Sequence, residues 1–295
     1  SSDLSRDRSS TSRNFSSIDS SHTPAALRAK FYNYIILHFR PAVKYPRPFC
    51  AYYYGFLRRG AMAVKRIAAL VLALALFFSC ASAAQAGNTH ETKGYIALTF
   101  DDGPSGEITQ QLLDGLAQRN VHATFFLCGY RIAQYPELAQ RMAEDGHELG
   151  LHSDRHDYMQ HMTKQEALED LTECMGKLTE ATGVTARLFR PPGGLYSADL
   201  LEASKELGLS VIFWSVDPHD WDKNQAAQVL PYLLSHTQAG DIVLMHDLTE
   251  HSVSCAMTFI DTMCAQGFEF CTVSELAALS GTSLSPGVYY NRFPH

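Results

Sequence analysis

The 295-residue chain predicts an α/β fold in which a mostly parallel sheet is assembled from repeated β-α units. Three observations carry this. From Gly94 onward, short apolar runs alternate with segments of helical period. Helix start and stop signals fall at the junctions, and polar residues cluster directly after the apolar runs.

The runs expected to form strands are 95–100, 124–127, 148–151, 187–190, 210–215, 241–245 and 268–271. Between them, amphipathic helices are expected over 108–119, 136–145, 164–182, 198–207, 225–236 and 253–266. Thr163-x-x-Glu166 and Thr272-x-x-Glu275 have the form of capping boxes, and Gly183 and Gly208 stand where helices would stop. No internal repeat and no long linker divides the region, so residues 88–281 read as one domain of ordinary size. Residues 282–295, rich in Ser, Pro and aromatic side chains, read as a C-terminal tail.

The formal charge of -7 is unevenly spread. Residues 1–61 carry ten Lys/Arg against three Asp/Glu, whereas 62–295 carry fourteen against twenty-eight. An acidic main body excludes nucleic acid and other polyanions as partners, because those are gripped by clustered cations. Neutral or cationic glycans remain compatible. At Met62 a basic Lys65–Arg66 pair precedes an apolar run from Ile67 to Phe78 and Ala-x-Ala sites ending at Ala83 and Ala86. This is the plan of a signal peptide over 62–86, too short for a spanning helix of ~20 residues. Export to the cell envelope or beyond follows, with membrane contact only through this segment if it is uncleaved. Since such signals stand at an N-terminus, residues 1–61 are expected to be an upstream extension absent from the working protein. Five cysteines follow the signal, an odd number with no Cys-x-x-Cys spacing, and Cys128 reads as a small buried apolar residue.

The polar clusters fall at strand ends, where parallel α/β folds build their sites. Asp101 and Asp102 end the first expected strand, just before Gly103–Pro104. Adjacent carboxylates repel unless one is neutralised, and a metal neutralises one well; taken alone, the same four residues also suit a solvated turn. His152 and His156 follow the third strand and reach one face if the segment turns helically. Two imidazoles and a carboxylate make a frequent catalytic zinc set. The other histidines of this region, among them His147, His161, His219, His236 and His251, read individually as surface or structural groups. Arg190 opens Arg-Pro-Pro-Gly-Gly, in which prolines stiffen the loop and glycines let backbone N–H groups approach a ligand. It is either a surface Arg on a turn or, beside Asp101, a permanent cation that keeps that base ionised. Asp217–Pro218–His219–Asp220–Trp221 offers acids and an indole wall suited to a sugar ring, and His246 ends the sixth strand with a group suited to proton transfer.

In this order and spacing, the five segments resemble the polysaccharide deacetylases of carbohydrate esterase family 4, the NodB-homology family, across roughly residues 94–279. The resemblance implies a distorted (β/α) barrel with about seven parallel strands. It implies a divalent ion, usually zinc and sometimes cobalt, held by Asp102, His152 and His156. It implies Asp101 as the general base toward the attacking water, Arg190 as its partner, and His246 as the general acid toward the leaving amine, oriented by Asp220. Trp221 and Leu244 would line the acetyl pocket and the Gly193 N–H would face the oxyanion. The substrate implied is an N-acetylglucosamine-type polymer, peptidoglycan or chitin-like, handled by a monomer. An O-acetyl esterase of xylan type and a catalytically weak glycan-binding module are the alternatives. Two positions depart from the family's habit, Gly193 where Tyr is common and Leu151 where Asn is common, and both bear on substrate preference.

Overall fold

The computed structural model describes residues 92–294. The expected upstream extension and signal segment lie outside the described residues. Among the described residues no helix is long and apolar enough to cross a membrane.

Strands and helices alternate along the chain: β1 (Gly94–Asp101), α1 (Glu107–Arg119), β2 (Thr124–Leu127), α2 (Gly129–Gln134), α3 (Pro136–Glu144), β3 (Glu148–Leu151), α4 (Lys164–Thr182), β4 (Leu188–Phe189), α5 (Ala198–Glu206), β5 (Ser210–Ile212), α6 (Ala226–His236), β6 (Ile242–His246), α7 (Glu250–Ala265), β7 (Phe268–Cys271), α8 (Val273–Leu279) and β8 (Tyr289–Tyr290). Every ladder is parallel, in the order β6-β1-β2-β3-β4-β5-β8, with β7 pairing the first half of β1. The fold is the curled α/β sheet that the sequence predicts. Both capping boxes form: the Thr163 and Thr272 side chains accept from Glu166 N and Glu275 N, and each Glu carboxylate accepts the cap residue's own N–H at 2.8 Å.

A period of two along the strands divides the core. Ile96, Leu98 and Phe100 of β1, Phe125 of β2, Phe189 of β4, Val211 of β5 and Val243 and Met245 of β6 face the helices in one large cluster. The alternate residues Ala97, Phe126, Leu188, Ile212 and Ile242 form a smaller cluster on the other face of the sheet, joined by Phe293.

The structure departs from the sequence reading in three places. The six-residue helix α2 was not expected, because so short a segment shows no helical period. The expected strands 187–190 and 210–215 contract to two and three residues. Pro191 and Pro192 have no N–H to extend the first ladder, and beyond Ile212 the chain crosses to β6. There Ser215 N donates to Ile242 O at 3.0 Å and Leu244 N to Val216 O at 2.9 Å, which draws the two ends of the curled sheet together.

Third, in correction of the tail expected over 282–295, residues 285–293 are part of the fold. β8 lies parallel to β5, and Phe293 N donates to Gly240 O at 2.9 Å. The Arg292 guanidinium pairs with buried Asp241 at 2.9 Å, and the Phe293 ring is 1% exposed. This segment fills the seam between β5 and β6. Of its aromatic residues Phe293 is the one it buries, while Tyr289 stays exposed.

Candidate active site

The strand period that sorts the core also sorts the candidate residues. Continuing the inner parity of Ala97, Leu188, Ile212 and Ile242 by steps of two brings up Asp101, Arg190, Trp214, Leu244 and His246 at the carboxyl ends of their strands. His152, one residue beyond β3, has the parity opposite to Leu149 and Leu151 of the helix-facing cluster. Asp102 has the wrong parity, and its positive φ of 72° turns it back into the site.

Asp102 Oδ1 lies 3.3 Å from His152 Nε2 and 3.1 Å from His156 Nε2, and the three ligand atoms fall within 4.8 Å of one another. The carboxylate oxygen is buried and has no aligned hydrogen-bond partner. Two ligands held ~2.1 Å from a tetrahedral ion stand ~3.4 Å apart, so these spacings and this orphaned oxygen fit a divalent cation. Second contacts prepare the imidazoles. His152 Nδ1 donates to Arg190 O at 2.7 Å, which leaves the Nε2 lone pair for a ligand bond. His156 is not on a helix, as the four-residue spacing had allowed. Ser153 and His156 both take positive φ, and His156 N donates to Ser153 Oγ at 2.8 Å, bringing the ring centroids to 5.1 Å. Burial alone would raise the Asp102 carboxyl, but the imidazoles of His152 and His156 outweigh it and hold it well below the usual carboxylate range. Asp102 in turn raises His156.

Asp101 is 2% exposed. Its Oδ1 accepts from Arg190 Nη1 at 2.7 Å, and its Oδ2 lies 3.7 Å from His152 Nε2. Arg190 is fully buried, which excludes the surface-turn alternative. The same Nη1 reaches Thr99 Oγ1 at 2.7 Å, Nε reaches Ile212 O at 3.1 Å and Nη2 reaches Phe213 O at 3.0 Å, while the guanidinium plane sits 4.1 Å above the Phe126 ring. Burial lowers this guanidinium against the pull of Asp101, yet an arginine so partnered keeps its charge. Leaving either partner alone would strand a buried charge, so the pair is locked.

Across the cleft, His246 Nδ1 donates to Asp220 Oδ1 at 2.8 Å, and His246 N donates to Asp220 Oδ2 at 2.9 Å. Burial by itself would lower the imidazole. The Asp220 bond and the charges of Asp220, Asp101 and Asp102 outweigh it and push it up to about 9, so His246 is a proton donor at neutral pH.

A cleft of about 360 Å³ unites these groups. Asp101, Asp102, His152, His156, Gly193, Trp221, Leu244 and His246 line it, while Arg190 and Asp220 stand behind, each bonded to a lining residue. All ten expected site residues therefore come together. Two were missed. Tyr158 and Trp214 also line the cleft, and both fill room left by the glycines of Arg-Pro-Pro-Gly-Gly. A Cβ on Gly193 would come within 2.7 Å of the Tyr158 ring, and one on Gly194 within 2.9 Å of the Trp214 ring. Positive φ at both, 65° and 69°, further favours glycine. Trp214 could have been found by extending the parity of β5 by one step. Tyr158 had no such signal. Away from the site, the five cysteines among the described residues are all unpaired, four of them buried, Cys128 included.

The polysaccharide deacetylase family profile matches residues 88–212. A peptidoglycan-N-acetylglucosamine deacetylase, PgdA, of Listeria monocytogenes is 38% identical over 186 residues, 63% of this chain but only 39% of that longer protein. A peptidoglycan-N-acetylglucosamine deacetylase of Bacillus cereus is 34% identical over 186 residues, 61% of this chain and 87% of its own length. The solved structure of a family 4 acetyl xylan esterase from Clostridium thermocellum, in complex with a cobalt ion, superposes with a TM-score of 0.63 at 30% identity, over 68% of this chain and all of that one. Sequence agreement across nearly the whole of the Bacillus relative, on the fold described above, shows that the chain belongs to the polysaccharide deacetylase family.

Proposed function

We propose that the protein is a metal-dependent hydrolase that removes N-acetyl groups from an N-acetylglucosamine-type polysaccharide, peptidoglycan or a chitin-like oligomer, outside the membrane. One observation carries this: a carboxylate neutralised by buried Arg190 stands beside a divalent-metal ligand set and shares a cleft with a protonated His246. That is the equipment of amide hydrolysis, with a base for water at one end and an acid for the departing nitrogen at the other.

Asp102, His152 and His156 would hold the ion, which we assign as zinc, with cobalt able to replace it. When bound, such an ion would supply Lewis acidity toward the acetamide carbonyl and toward a water, easing deprotonation of that water toward pH ~7. Asp101 accepts a proton from the attacking water at its carboxylate while Arg190 holds that carboxylate in place. His246 passes its proton to the leaving amine, and Asp220 orients the ring and balances its charge. The Gly193 N–H donates to the oxygen on which negative charge develops. Trp221 and Leu244 bound the acetyl group. The two named peptidoglycan N-acetylglucosamine deacetylases support that substrate class, and the expected signal at 62–86 supports export.

The xylan esterase superposition favours a second reading, in which the same cleft cleaves O-acetyl esters. Acetate release decides between them. Chelated protein should be silent, and zinc or cobalt should restore release from N-acetylated glycans. Release only from O-acetylated xylan supports the esterase, and none from any substrate leaves a glycan-binding module.

A further inference from the structure

One acidic side chain of the cleft has no part in the chemistry above. Asp217 lines the cleft with its side chain 20% exposed. Strand register directs that side chain. Ser215 N and Val216 N both donate to Ile242 O, at 3.0 and 3.3 Å, a bulge that shifts the alternation by one residue. Val216 then bridges Val243 in parallel, and both face the helices in the large cluster. The next residue on each strand, Asp217 and Leu244, turns to the opposite face, where the cleft opens. Leu244 N donates to Val216 O at 2.9 Å, so Asp217 stands beside the wall that bounds the acetyl group.

The other charges of the cleft have partners of opposite sign. Asp101 meets Arg190, Asp102 faces two imidazoles and the ion they would hold with it, and His246 meets Asp220. Asp217 bonds to no buried cation among the described residues. It adds to the field that Asp101 sets at Arg190, but that guanidinium donates to Asp101, Thr99, Ile212 and Phe213. Its Oδ1 accepts the N–H of His219 at 2.9 Å in an Asx turn across Pro218, and its Oδ2 lies 3.4 Å from Nδ1 of the same residue, whose side chain is 55% exposed. The turn accounts for one oxygen, and an asparagine would serve it equally. The negative charge remains on the cleft wall, where partial burial weakens its screening by water. A charge placed so discriminates by repulsion, since a ligand that brings a second carboxylate is penalised and an uncharged one is not.

We propose that Asp217 is a specificity-determining residue through which the cleft selects an uncharged N-acetylated sugar, as in N-acetylglucosamine, over one that carries a carboxylate, as the O-lactyl group of N-acetylmuramic acid does. The inference rests on the glycan reading above and narrows its substrate class, and binding tests it independently of catalysis. NMR titration of the zinc-loaded full chain with N-acetylmuramic acid and with its methyl ester compares two ligands that differ chiefly in one charge, with N-acetylglucosamine as the reference without the lactyl group. The unmodified protein should bind the ester roughly 5-fold more tightly than the acid, and Asp217→Asn should bring the two within about two-fold. N-acetylglucosamine affinity should stay within about two-fold in the variant, because Asn keeps the Asx turn. In about 0.5 M salt the ester-to-acid ratio of the unmodified protein should shrink. The ratio is read within each protein, so any general disturbance of the cleft by the substitution cancels from it. Equal affinity for acid and ester in the unmodified protein, or the same ratio in the variant, would overturn the role of Asp217. Binding of none of the three sugars would overturn the glycan reading and this inference with it. The charge contrast without acetate release from N-acetylglucosamine oligomers would overturn the hydrolase reading alone.

Discussion

The two sides of the rim are built on different principles. From β1 to β4 the expected site residues stand on or shortly after parallel strands, and all but Asp102, His156 and Gly193 follow from a period of two. Across the seam between β5 and β6 regular structure fails. His246 still ends a strand, but its partner Asp220 and the wall Trp221 come from a loop, and the seam itself is filled by residues 285–293 from the chain's end. The strand side carries the charged pair and the metal ligands, groups that tolerate little displacement. The seam side carries the aromatic walls Trp214 and Trp221, where contact area matters more than a fixed distance, beside the His246–Asp220 pair.

The strand side can be broken most severely. His152→Ala should abolish both metal binding and turnover, whereas Asp101→Asn should retain the metal and lose turnover by ~10²-fold or more. Atomic absorption on the dialysed proteins and acetate release measure the two effects. Equal metal loss in both variants would erase the division between ligand and base.

Phe293→Ala tests the seam. Truncating a fully buried phenylalanine costs ~3–5 kcal/mol, read from urea unfolding. A loss under ~1 kcal/mol would return residues 285–293 to the status of a tail.

Asp220→Asn sharpens the contrast by its pH dependence. His246 is raised from an ordinary 6.5 to about 9, so its protonated form, and the stability it contributes, is fully present below 6.5 and lost as pH rises through about 9. The alkaline limb of the kcat/KM profile should therefore move down toward 6.5 in the variant. An unmoved limb would mean that another group sets it.

The smallest effect belongs to the cleft wall. Tyr158→Ala should raise KM for acetylated oligosaccharides by ~3–10-fold and spare kcat, since it removes a ring face and no reacting group. A matching loss on a sugar-free acetyl ester would show that the ring supports the loop and does not meet the sugar.

Much of this was legible beforehand because its causes are local. β2, β3, β7 and α4 match their expected bounds, for apolar runs and caps such as Thr163 and Gly183 act within a few residues. Arg190 was left open between a surface turn and a buried partner, since nothing within its own segment distinguishes them. Its burial is decided by Phe126, Thr99 and Asp101, all more than 60 residues away.

The sequence by itself determined the β-α alternation and the strand ends that bear the site, because side-chain period, capping and turn chemistry are properties of neighbours; the grouping of Asp102 with His152 and His156 was implied by the family resemblance. Only the tertiary structure brought those groups into contact. Arg190 bonds Asp101 while Asp102 meets the two imidazoles, positive φ at Ser153 and His156 replaces the helix that the spacing had allowed, and Tyr158 and Trp214 fill the room beside two glycines. The C-terminal segment belongs with these. A strand of two residues has almost no signal of its own, and it exists because the open seam between β5 and β6 supplies the backbone partners and the apolar cover for Phe293.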